Sequence, residues 1–275
     1  MTFLGAAAPA HPAAAIVGVP YDNSSTFRRG SALAPQAIRW ASQSIETYSP
    51  VLRRDLDTLP FADHGDLDLG GLSPEAMVEA VRSRVAGFDR STLPVLLGGE
   101  HTLTLGAVRA LQDHHGDLAV LQLDAHTDLR DEYEGRRLSH ATVMRRISEV
   151  IPLQQIVALG IRAGTRDEFA LAERYRAATP TLAVTSQLWT WLQEHPVYVT
   201  IDIDAVDPRD APGTGNPEPD GLSAGTLLTF VRRLGDLRVV GLDLVEVSPP
   251  YDPSGRTAVL AAVILREALL ALRGT

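Results

Sequence analysis

The sequence predicts an α/β protein, a central parallel sheet with helices on both faces. Short apolar runs alternate with longer amphipathic stretches along all 275 residues, the pattern of strands and helices taken in turn. The runs are apolar almost throughout, as strands covered on both faces are. Polar clusters stand where several of these runs end, and open α/β sheets bind ligands beyond the carboxyl ends of their strands.

The first strand is expected at residues 15–19, followed by a helix at 34–47 and a weaker strand near 58–62. Asp63, His64, Asp66 and Asp68 then read as a glycine-flanked polar turn. A helix at 74–88 begins with Ser73 as N-cap and Pro74 at its first position. The strand at 94–97 runs into Gly98–Gly99–Glu100–His101, and a helix follows at 103–114. His114 and His115 sit at that helix's C-terminal end, where imidazole is favoured electrostatically. The strand at 118–123 meets Asp124–Ala125–His126–Thr127–Asp128. Helices at 140–150 and 166–177 flank a strand at 155–159, and a weaker strand lies near 181–184. A helix at 187–194 closes on His195, a cap before Pro196. The strand at 197–203 carries Asp202 and reaches Asp204. The proline- and glycine-rich stretch 208–221 reads as a site loop rather than a linker. A helix at 224–234, a strand at 238–245 and a helix at 257–272 complete the chain. No repeat or low-complexity linker divides it, so residues 1–275 are expected to form one domain.

Composition narrows the chemistry. The net charge is −9, with no basic block, which argues against nucleic acid and mildly favours cationic ligands. There is no cysteine, so disulfides, thiolate nucleophiles and cysteine zinc sites are excluded. All 25 basic residues are arginine, which removes Schiff-base chemistry and the P-loop lysine. No apolar stretch has membrane-spanning length; the nearest, 257–272, is broken by Arg266 and Glu267. The alanine-rich start lacks a basic leader segment, and a cytoplasmic protein is expected.

Three strand ends can supply His101, Asp124, His126, Asp128, Asp202 and Asp204. A buried strand that ends in carboxylates and imidazoles is costly without a compensating cation. Residues two apart on a strand share a face, so Asp202 and Asp204 are expected to point the same way. Four carboxylates and two imidazoles exceed one tetrahedral zinc site. They suit two divalent ions joined by shared carboxylates, and the oxygen-rich set favours manganese. Such a site is near neutral and able to hold a bridging hydroxide, a strong nucleophile at neutral pH.

These motifs resemble the ureohydrolase family of arginases, agmatinases and related guanidine hydrolases. Gly18–Val19–Pro20–Tyr21–Asp22 with Ser25–Thr26–Phe27–Arg28–Arg29–Gly30 looks like the family's N-terminal segment. Gly98–His101, Asp124–Asp128, Ser139–His140–Ala141–Thr142, IDIDAVDP at 201–208 and DLVEVSP at 243–249 follow in family order. The resemblance implies a three-layer α/β/α arginase-like fold, two manganese ions (Mn2+) per chain and hydrolysis that releases urea. Carried across, His101 and Asp128 would bind one ion, His126 and Asp204 the other, with Asp124 and Asp202 bridging. Glu246 would hold the guanidinium and His140 would shuttle protons. Glu100 stands where arginases usually carry aspartate; it reads either as a support for the neighbouring ligand or as a cap for the following helix.

The segments at 128–134, 139–146, 212–215 and 249–255 look most like agmatinases, which implies hydrolysis of agmatine to putrescine and urea, a step in polyamine biosynthesis. Asp131, Glu132 and Glu134 are then candidate partners for the distal ammonium, though they equally read as a solvated acidic loop. Arg136 and Arg137 point instead to a guanidino acid, so a guanidinobutyrase, guanidinopropionase or arginase stays open. A mononuclear zinc deacetylase on a related fold is a more distant alternative. A homo-oligomer, trimer or hexamer, is expected from the resemblance alone.

Overall fold

The computed structural model describes residues 1–273. In chain order its strands are β1 (Ala14–Val19), β2 (Tyr48–Ser49), β3 (Arg54–Asp55), β4 (Phe61–Asp66), β5 (Leu93–Gly98), β6 (Ala119–Leu123), β7 (Ile156–Leu159), β8 (Ala177–Thr179), β9 (Pro196–Asp202) and β10 (Arg238–Val245). The helices are α1 (Ala34–Ser42), α2 (Pro74–Ala86), α3 (Thr104–His115), α4 (Val143–Ile147), α5 (Arg166–Ala172), α6 (Ser186–Glu194), α7 (Ala224–Arg233) and α8 (Arg256–Arg273). Apart from the short antiparallel β2–β3 hairpin, the strands form one parallel eight-stranded sheet in the order β4-β1-β5-β10-β9-β6-β7-β8.

Alternate side chains of each strand feed opposite cores. Val95 and Leu97 pack with Ile38, Phe230 and Leu265 on one side. Leu96, between them, packs with Met77, Val108 and Ile147 on the other. The result is the expected three-layer α/β/α arrangement, and both faces of the sheet are dry. Among the described residues no helix is long and apolar enough to cross a membrane.

The strand order brings together what the sequence keeps apart. β5, β10, β9 and β6 are consecutive in the middle of the sheet. Ile201 pairs with both Leu123 and Leu244, so the carboxyl ends of β6, β9 and β10 come out nearly level. The loops bearing residues 98–101, 124–128, 202–204 and 246 therefore share one edge.

Several boundaries shift from expectation. The helix expected at 34–47 stops at Ser42, and that expected at 166–177 stops at Ala172; Ala177–Thr179 is instead an edge strand on β7. Nothing in 181–184 forms a strand. The first turn of the helix expected at 140–150 is a 3-10 turn, His140–Thr142. Ser73 caps α2 as expected, its hydroxyl accepting the Ala76 N–H at 3.3 Å. His195 caps α6 through Nδ1, 2.8 Å from the Trp191 carbonyl.

The segment around Asp63 is a strand, β4, where a turn was expected. Asp63 is buried against Arg39, whose Nε and Nη2 donate to its two oxygens at 2.8 and 2.9 Å. Phe3 N–H and Gly65 N–H complete its partners. Burial alone would raise the Asp63 pKa, but the Arg39 hydrogen bonds and these backbone donors hold it below the usual value. A carboxyl whose pKa is lowered by folding stabilises the fold above its unfolded pKa of about 3.9. That contribution is lost as pH falls through the lower folded value. Asp63→Asn is expected to cost about 3 kcal/mol at neutral pH and to flatten the acid limb of stability. Denaturant midpoints measured from pH 7 to 2 test this; an unchanged acid limb would refute it.

Candidate active site

Asp124, Asp202 and Asp204 each have one oxygen pinned by a backbone N–H. His126 N–H donates to Asp124 Oδ1 at 2.6 Å, Ala125 N–H to Asp204 Oδ1 at 3.1 Å, and Asp204 N–H to Asp202 Oδ1 at 2.9 Å. The second oxygens turn inward. His101 Nδ1 faces Asp128, Asp124 and Asp202 at 3.1, 3.3 and 3.4 Å. His126 Nδ1 lies 2.9 Å from Asp204 and 3.9 Å from Asp124. His101, Asp124 and Asp202 thus form one group able to hold a metal ion, and Asp124, His126 and Asp204 a second. Asp124 belongs to both.

The expected strand alternation is not what aligns these groups. β6 ends at Leu123 and β9 at Asp202; Ile203–Ala205 is a 3-10 turn. Asp128 has φ +51° and Glu246 φ +63°, left-handed conformations that non-glycine residues adopt at a cost. At these two positions the backbone is bent to turn a carboxylate into the cleft.

The electrostatics of the cluster suit a bound cation. His101 is completely buried, and its Nδ1 has no hydrogen-bond partner. Its Nε2 lies 2.8 Å from Thr200 Oγ1. With the ring proton donated to Thr200, an Nδ1 lone pair is left facing three carboxylates, an arrangement that repels unless a positive charge sits between them. Burial disfavours a charged His126, but Asp204 and then Asp124 outweigh it and push its pKa up to about 11. Burial and Asp124 push Asp128 up to about 7.

The site opens into a cleft of about 400 Å³. Its walls carry His101, His126 and His140, the acids Asp128, Glu168, Asp202, Asp204, Glu218 and Glu246, and a single arginine, Arg130. Glu246 is buried, and its Oε1 accepts the His101 N–H at 2.7 Å. Burial, with Glu100 nearby, pushes its pKa up to about 8. His140 is buried against Tyr133, ring centroids 5.8 Å apart. Burial above all, with His126 and His101 adding to it, pushes its pKa down to about 4, so it is neutral at pH 7. Asp131, Glu132 and Glu134 are not among the cleft-lining residues; Asp131 is 64% exposed and its Oδ1 accepts from Arg146 at 2.5 Å. Arg136 donates to the Asn23 carbonyl, and Arg137 lies 3.6 Å from Asp131.

Several supporting residues escape sequence reasoning. Gln122 donates to Asp124 Oδ2 at 2.9 Å and to the His126 carbonyl at 3.0 Å. Gln122 and Thr200 each interrupt an apolar run two residues before a site aspartate, a signal available in the sequence. Glu168 accepts from Thr127 Oγ1 and Leu129 N–H, bracketing the strained Asp128. Arg162 donates to the carbonyls of Gly160, Asp204, Ala205, Glu218 and Pro219, fastening the 208–221 loop to the sheet edge. At Gly99 a Cβ would stand 2.0 Å from the Tyr21 carbonyl oxygen, so only glycine lets the β5 loop lie against the β1 loop.

A family model described as the arginase family matches residues 12–271. The chain belongs to the arginase family. It is 39% identical over 267 residues to an agmatinase of Halalkalibacterium halodurans, covering 94% of this chain and 91% of that protein. It is 35% identical over 282 residues to a guanidinobutyrase of Pseudomonas aeruginosa, covering 95% and 86%. The solved structure of the agmatine ureohydrolase of Thermoplasma volcanium superposes with a TM-score of 0.88 at 33% identity, covering 98% of this chain and 94% of that one. This arginase-family chain is an enzyme, a ureohydrolase of agmatinase type, and its sheet is the family's.

Proposed function

We propose that this arginase-family chain hydrolyses agmatine to putrescine and urea, with two manganese ions in the cleft. The observation that carries the reading is the cleft's charge: beyond the proposed metal ligands, Glu168, Glu218 and Glu246 line it with a single arginine, which suits a cation with no carboxylate of its own. Agmatinases at 38–39% identity support the same substrate.

The donor set fits divalent ions, because the buried Nδ1 of His101 is unpartnered among three carboxylates. His101 and Asp128 would hold one, His126 and Asp204 the other, with Asp124 and Asp202 shared. When bound, such a pair activates water as a nucleophile at neutral pH. Glu246 would bind the guanidinium through charge-assisted hydrogen bonds and hold its carbon near the ligand cluster. His140, neutral and facing the cleft, would carry a proton to the leaving amine. Asp131, Glu132 and Glu134 would act on the distal ammonium through their field rather than by contact, since they lie outside the cleft wall. Glu218 and Glu168 are nearer.

Arg130 favours a second reading. It lines the cleft and stacks on Tyr133, 4.8 Å from the ring centroid, where it would meet the carboxylate of a guanidino acid. Urea release from agmatine, 4-guanidinobutyrate and arginine with added manganese separates the two. Agmatine is expected to turn over fastest; rapid hydrolysis of 4-guanidinobutyrate with none of agmatine would reject the first reading.

A further inference from the structure

Glu100 is a fully buried carboxylate that the proposed chemistry leaves unused. It neither caps the following 3-10 turn nor contacts the ligand cluster; both of its oxygens go to Ser24. Oε2 accepts the Ser24 N–H at 2.6 Å, and Oε1 accepts the Ser24 hydroxyl at 2.8 Å. Ser24, itself 3% exposed, reaches His140: its Oγ accepts the His140 N–H at 3.0 Å and lies 3.3 Å from His140 Nδ1. Thr102 Oγ1, 3.5 Å from the same oxygen, is too distant to compete.

Proton accounting then fixes the histidine. A hydroxyl has one proton to donate, and an ionised carboxylate only accepts. Burial raises the Glu100 pKa, and the Thr102 and Ser24 hydrogen bonds oppose that rise; with the carboxylate ionised, the Ser24 proton points to Glu100 at 2.8 Å, so in the 3.3 Å contact with His140 the donor is Nδ1. A neutral imidazole carries a single N–H. With that proton on Nδ1, Nε2 is left as a bare lone pair. Nε2 makes no hydrogen bond among the described residues, and the ring lines the cleft.

We propose that Glu100 and Ser24 are positioning residues that lock His140 in its Nδ1–H tautomer, so that Nε2 is the atom that takes up and passes on protons in the cleft. The catalytic consequence rests on His140 being the proton carrier; the tautomer does not. Glu100→Gln gives a sharp test. The amide oxygen must stay on the Ser24 N–H, which puts the amide NH2 against Ser24 Oγ. The hydroxyl then turns to donate to Nδ1, and the proton of His140 moves to Nε2.

Nitrogen-15 NMR of the magnesium-loaded protein at pH 8, with His140 assigned by its loss in His140→Asn, reads this directly. The wild type is expected to show a protonated Nδ1 and an unprotonated Nε2. Glu100→Gln should show the reverse, Ser24→Ala a mixture of both, and Ser24→Thr the wild-type pattern. With manganese, kcat for guanidine hydrolysis should fall about 100-fold in Glu100→Gln, the scale of one proton-transfer group. KM should change little, and Ser24→Thr should keep the wild-type rate. A wild-type Nε2–H, or a tautomer unmoved in both Glu100→Gln and Ser24→Ala, would overturn the proposal. Full activity in His140→Asn with the expected tautomers would leave the lock intact and reject His140 as the proton carrier.

Discussion

Asp128→Asn and His126→Asn are each expected to lose bound manganese and activity together. The effect should be at least about 1,000-fold in kcat, because an activated water and the stabilisation of developing charge are worth several kcal/mol. Asp124→Asn should be the most severe, since Asp124 belongs to both ligand groups. Elemental analysis of the purified variants, set beside urea release, checks the coupling. The structure also fixes the sign of a pH effect. Asp204 and Asp124 hold the ion-free His126 pKa, despite burial, at about 11, so metal must displace its proton to use Nδ1. Binding should release protons and tighten as pH rises from 6 to 8. Titration calorimetry in buffers of differing ionisation enthalpy counts them. One zinc per chain with full activity, or Asp128→Asn active and metal-replete, would break the two-ion reading.

The same ligands show how far the sequence could be read. Every helix assigned from periodicity exists, and the six stronger strands lie within two residues of their expected limits. These elements are long, apolar and locally determined. Elements that depend on distant partners were harder to see. β8, Ala177–Thr179, has no apolar run of its own and is a strand only because Val157, Ala158 and Leu159 pair with it. Asp63 looked like a turn residue because Arg39, 24 residues away, neutralises it within a strand. In the site, the metal-type residues announced themselves by chemistry. Their supports did not: Ser24 meets Glu100 across 76 residues and His140 across 116, and no local pattern in a run of serines anticipates that.

That division explains why the sequence is more informative about the reaction than about the substrate. The proposed metal ligands are carboxylates and imidazoles at the ends of three strands, a requirement that leaves few residue choices. The distal end of a guanidine meets loops instead. Asp131 is drawn off by Arg146, and Glu168 by Thr127, Leu129 and Thr165. Acidity read from sequence spacing is thus partly spoken for in the fold, and what remains at the mouth is the balance of Glu218 against Arg130.

Glu246→Gln is expected to separate guanidinium binding from metal binding. Glu246 is held twice: its N–H donates to the Gly99 carbonyl at 2.9 Å, and its Oε1 accepts the His101 N–H at 2.7 Å. Glutamine keeps the second contact through its amide oxygen, so the His101 loop and the ligands behind it should stay in place. What it removes is the acid's capacity to carry a negative charge opposite a bound guanidinium, and one acceptor facing the cleft. A hydrogen bond to a charged group is worth about 1.5–3 kcal/mol, so kcat/KM should fall about 100-fold with the manganese content unchanged. Alanine should be worse in a different way. It frees the buried His101 N–H, loosens the loop carrying a metal ligand, and should lower metal content as well as activity. A Glu246→Gln enzyme within about threefold of wild type in kcat/KM would remove Glu246 from the substrate site, leaving its positive φ to be explained by the His101 loop alone. Loss of metal in Glu246→Gln would instead make it a structural support. Only the combination of intact metal and lost kcat/KM requires that the carboxylate touch the guanidinium.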